Sequence, residues 1–107
     1  MSEYTPDNWI IVELTSDDES IQKVIGGWSG GYLDGDSWRI SSVVEKIEVD
    51  GDFVLITNYS GSLYKCHKSR QGTSIAMMPV LSQLEEASEN DEEFSYKVID
   101  WEEEDVS

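Results

Sequence analysis

The chain has 107 residues, with 23 acidic side chains against seven basic ones and a formal net charge of −16. That length is about one domain, long enough to bury roughly two-thirds of its unfolded surface without metals or disulfides. The charge excludes a surface that tracks nucleic-acid phosphates or anionic lipid, and it points toward basic protein partners or toward solubility alone.

Hydrophobic residues make up 38%, including four Trp, five Tyr and two Phe, which is not the composition of a disordered chain. Cys66 is the single cysteine, so no intramolecular disulfide can form and a reducing compartment suits the chain. The first eight residues lack a basic region followed by an apolar one, and no apolar run approaches the roughly 20 residues of a membrane span. A cytoplasmic location is expected. The expected organisation is one β-rich domain over residues 1–101 and an acidic tail over 102–107.

Residues 9–14 predict a strand with Ile10, Val12 and Leu14 on one face. A polar turn at 15–20 leads to a second short strand at 21–25, which Gly26 and Gly27 end. Residues 28–37 read as a glycine-rich loop, with extended structure resuming at 38–40. Residues 43–49 and 53–58 are rich in β-branched residues, and the Asp50-Gly51 pair between them is the firmest hairpin signal in the chain. Ser60-Gly61 marks another hairpin, leading to a strand at 62–66. Pro79 opens a helix over about 79–88, with Val80, Leu81, Leu84 and Ala87 at helical spacing and the acids of 89–93 breaking it. Alternation at 94–99 gives a last strand. The expected class is α+β: six or seven short, mainly antiparallel strands joined as a meander, with one helix near 79–88.

Catalytic chemistry is poorly provided for. His67 is the only histidine and adjoins Cys66 in a strand, so the two side chains point to opposite faces and cannot form a Cys–His pair. One Cys and one His cannot build a usual zinc site. Asp34-Gly35-Asp36 lacks the further ligands of a calcium loop and reads as a turn. Neither a phosphate-binding loop nor a dinucleotide fingerprint is present. A non-enzymatic protein without cofactor or metal is expected.

Two regions carry binding potential. Residues 26–42 bring Trp28, Ser29, Tyr32, Ser37, Trp38 and Arg39 together with five glycines. Tyr59, Ser60 and Tyr64 add hydroxyls and rings from a second turn. Aromatics can stack a base, Arg can hold a phosphate or carboxylate in two parallel hydrogen bonds, and glycine backbone lets N–H groups approach an anion. These nine residues are the candidate ligand site, and a closed pocket between the subunits of a homo-oligomer would suit so small a chain. The competing reading places Trp28 and Trp38 in the core and the glycines in turns. The second region is acidic: eleven carboxylates from Glu85 onward stand against Lys97 alone. Glu85, Glu86, Glu89, Glu92 and Glu93 could face a basic protein groove in place of a phosphate backbone, or could simply be solvated.

The run Gly27-Trp28-Ser29-Gly30-Gly31-Tyr32-Leu33-Asp34-Gly35-Asp36-Ser37-Trp38-Arg39, the segment Tyr59-Ser60-Gly61-Ser62-Leu63-Tyr64-Lys65-Cys66-His67 and the opening Tyr4-Thr5-Pro6-Asp7-Asn8-Trp9 resemble small uncharacterised acidic proteins of tailed bacteriophages. The resemblance covers about residues 4–70 and brings no catalytic residues with it. It implies a phage accessory product acting in the bacterial host cytoplasm, antagonising host defence by stoichiometric binding. The ligand would be a nucleotide-type immune signal. The alternative target is a host nuclease, restriction or CRISPR complex, met as a basic protein and not through nucleic acid.

Overall fold

The computed structural model describes residues 3–31, 35–73 and 77–99, without the side chains of residues 29–31, 35 and 36. The strands are β1 (Glu3–Tyr4), β2 (Asn8–Ser16), β3 (Glu19–Gly31), β4 (Gly35–Ile40), β5 (Val44–Asp50), β6 (Phe53–Asn58), β7 (Leu63–His67) and β8 (Phe94–Ile99). One 3-10 turn (Lys68–Arg70) and one helix, α1 (Met78–Asn90), complete the described elements. The expected α+β class holds: mainly antiparallel sheet with a single α-helix.

The strands form two sheets, ordered β1-β7-β6-β5 and β4-β3-β2-β8. The second sheet is the middle of three layers. Trp9, Ile11 and Val24 turn one way and pack against Val54, Ile56, Tyr64 and Cys66 of the first sheet. Ile10, Val12 and Ile25 turn the other way and pack against Met77 and Val80, with Leu81 and Leu84 of α1 at the margin. Residues 9–12 are an unbroken apolar run because β2 is buried on both faces, and each successive side chain enters a different core. No helix of the described residues is long and apolar enough to cross a membrane.

The structure corrects the glycine-rich loop. β3 does not stop at Gly26 and Gly27 but continues to Gly31, and β4 returns beside it with Ile25 opposite Ile40, Gly26 opposite Arg39, Gly27 opposite Trp38 and Trp28 opposite Ser37. Gly26 serves a close approach instead of a turn. A Cβ there would stand 3.0 Å from Pro6 Cβ and 3.4 Å from the Trp28 ring, so glycine leaves the room that the incoming N-terminal segment fills.

Smaller corrections have local causes. The 15–20 turn shrinks to Asp17-Asp18, because Ser16 pairs with Glu19 and Thr15 with Ser20. Asp17 takes φ 55°, a left-handed conformation that Asp tolerates. Asp50 pairs with Phe53, so the turn residues are Gly51 and Asp52, with Gly51 at φ 62°. The helix runs two residues past its expected end. Its stop is Asp91, whose N–H bonds to Ala87 O at 3.1 Å while its Oδ1 accepts from Glu93 N–H at 3.0 Å. The connections depart from a plain meander: β8 pairs with β2, and the two-residue β1 lies parallel to β7. A strand of two residues leaves no periodicity to read.

Candidate binding surfaces

The candidate ligand residues divide among four places. Trp38 and Arg39 are consecutive on β4 and therefore leave it on opposite faces. Trp38 joins the helix-side core beside Ile40, in keeping with the reading that made it a packing residue. Arg39 is exposed on the other face, its guanidinium carbon 4.7 Å from the centre of the Tyr4 ring. Tyr4 in turn lies 5.0 Å from Tyr64, its register partner on β7, and 6.4 Å edge-on from Trp28. Ser37 is exposed directly across from Trp28 and two residues from Arg39 on the same face. The fold thus brings together Trp28, Ser37, Arg39 and Tyr64, drawn from three strands in two sheets, around Tyr4, which was not among the candidate ligand residues.

Trp28 has a second task. Its Nε1–H donates to Thr5 O at 3.1 Å, and Asp7 N–H donates to Gly27 O at 2.9 Å. With Pro6 seated over Gly26, these contacts fasten residues 3–8 across the ends of both sheets. Tyr64 is 1% exposed, and burial pushes its phenol up to about 12 although the positive charge of Arg39 offsets part of that.

Tyr59 and Ser60 lie on the β6–β7 turn, in a different set of contacts from those four. Tyr59 is 70% exposed, its N–H bonded to Val43 O at 3.0 Å. Ser60 Oγ accepts from Ser42 Oγ at 2.9 Å and lies 3.3 Å from Ser62 Oγ. Beneath them Asn58 is buried, with Nδ2 donating to Ser62 O at 3.4 Å and Oδ1 lacking a donor. Tyr32 and the side chain of Ser29 fall outside the described residues, as do Asp34 and residues 100–107, which include the expected acidic tail.

Cys66 is buried in the sheet–sheet core, and burial pushes its thiol up to about 12, which makes it an inert packing group. His67 faces outward, where its Nδ1 accepts from Ser69 N–H at 3.2 Å and its ring meets Phe53 edge-on at 5.1 Å. The two neighbours do part to opposite faces. No group of three or more potential metal ligands occurs among the described residues.

The acidic candidates acquire neighbours that the sequence placed far away. Glu85, Glu86 and Glu89 are exposed on α1, and Glu92 and Glu93 are exposed in the turn after it. Asp17 N–H donates to Glu93 O at 3.1 Å, which docks the β2–β3 hairpin tip onto that turn. Asp17, Asp18 and Glu19 therefore join Asp91, Glu92 and Glu93 in one exposed surface. Glu93 registers the crowding. A hydrogen bond with the Asp17 side chain, and then the Asp91 charge, raise its carboxyl above the ordinary range.

Protein-family models, curated proteins and solved structures hold no match to this chain.

Proposed function

We propose that the chain is a non-catalytic phage accessory protein that acts in a bacterium by stoichiometric binding, presenting its acidic end to a basic groove of a host protein that handles nucleic acid. The supporting observation is the bond from Asp17 N–H to Glu93 O. It converts two acidic segments, more than 70 residues apart in sequence, into one surface held in fixed geometry. A preformed surface of uncompensated carboxylates favours association with a cationic groove through steering and charge complementarity. Of the two candidate regions, the described carboxylates of this one are all exposed, whereas Trp38 and Tyr64 of the other pack into cores.

The test is inhibition of purified bacterial nucleases, restriction enzymes and CRISPR complexes by the chain, with and without replacement of Glu85, Glu86, Glu92 and Glu93 by Gln. Inhibition should fall as salt rises, since exposed charges are screened over roughly 8 Å at physiological ionic strength. It should fall at least tenfold in the four-Gln variant. Inhibition that ignores both changes, or none across the panel, would overturn the proposal.

A further inference from the structure

We infer that Arg39, with Tyr4, Ser37 and Tyr64, forms a second binding site, independent of the acidic end, for an oxyanion carried on a flat ring. In a chain with 23 acids and seven bases, Arg39 makes no ion pair with any described residue. Its guanidinium lies on the Tyr4 ring instead. That contact restrains the guanidinium before any ligand arrives, which lowers the ordering cost of binding. The edge of the fork, exposed with the rest of the side chain, suits the two parallel hydrogen bonds that a carboxylate or phosphate accepts.

Two hydroxyls stand by it. Ser37 is exposed on the same face, one strand repeat of roughly 6–7 Å away. Tyr64 carries the second, its ring 5.0 Å from the Tyr4 ring on which Arg39 lies. The flat ring of the ligand would stack on the exposed face of the guanidinium, extending the order already begun by Tyr4. The acidic end does not oppose this. Along β3, the position opposite Arg39 lies about 23 Å of strand from Glu19 at the hairpin tip, well beyond the screening length.

The experiment is titration calorimetry of the full chain with adenosine monophosphate, benzoate and inorganic phosphate, alongside thermal melts of each variant. A ring-bearing anion should bind saturably and at least tenfold more tightly than inorganic phosphate. Preference for the nucleotide identifies a phosphate ligand, and preference for benzoate a carboxylate ligand. Arg39→Gln should weaken binding at least tenfold with an unchanged melt. Arg39→Lys should recover only part of the loss, and Tyr64→Phe should weaken binding several-fold. No saturable binding up to millimolar concentration, or wild-type affinity in Arg39→Gln, would overturn the inference. The four-Gln variant should bind these probes like wild type, so this site and the acidic end can fail separately.

Discussion

Trp38 and Arg39 adjoin in sequence and serve opposite sides of the same sheet. Trp38 packs under α1 with Ile40, and Arg39 lies over Tyr4 at the junction of the two sheets. Their substitutions therefore should not behave alike. Trp38→Ala removes a half-buried indole from the helix-side core and should destabilise by roughly 2–4 kcal/mol, a large share of the margin of so small a domain. Arg39→Gln should leave the urea midpoint within experimental error. Equal midpoints for the two variants would contradict the face assignment.

Trp9 ties three elements together. It is fully buried, its Nε1–H donates to His67 O at 2.7 Å, and its carbonyl accepts from Gly72 N–H at 2.8 Å. Trp9→Phe keeps most of the apolar contact but strands the His67 carbonyl, so it should cost about 1–3 kcal/mol. Chemical denaturation followed by far-UV circular dichroism measures this directly.

Gly26→Ala tests the N-terminal fastening. The added methyl would meet Pro6 at 3.0 Å, so either the segment shifts or the strand does. Overpacking of this kind typically costs about 1–3 kcal/mol. Amide exchange should quicken first at Asp7, whose N–H bonds to Gly27 O. Unchanged exchange there, with full stability, would show that Pro6 has room to move.

Stability should fall in two pH windows, for the same reason. Folding raises the Glu93 carboxyl above its ordinary value, so its favourable contribution is complete below the unfolded pKa and is lost as pH rises through the folded one. Stability should therefore increase on mild acidification from neutral, and Glu93→Gln should flatten that rise. Cys66 and Tyr64 repeat the pattern in alkali. Both are pushed up to about 12 by burial, so their contributions are lost as pH climbs from about 9 toward 12. In the folded chain at neutral pH the Cys66 thiol should react with a disulfide reagent only as fast as the protein opens. Fast labelling of native protein would contradict its burial.

Local pattern carried most of the elements. The alternation at 94–99, the Asp50-Gly51 pair and Pro79 each express a local preference, for a pleat, a tight turn or a first helical turn, that survives in the fold. Glycine misled at Gly26, because the same residue that permits a turn also permits close approach, and only the position of Pro6 distinguishes the two. The candidate ligand residues were legible as types but not as a group: alternation along β4 parts Trp38 from Arg39, and no periodicity flags Tyr4.

The sequence by itself determined the α+β class, the acidic balance and the lack of a Cys–His pair, since each follows from composition or from side-chain spacing along one element. Tertiary structure alone decided which distant residues meet. The parallel pairing of β1 with β7 set Tyr4 beneath Arg39, and the seating of the β2–β3 tip on the turn after α1 set Asp17 against Glu93. Such meetings depend on how two sheets and a helix bury their apolar faces together, and that balance is a property of the whole chain that no single segment records.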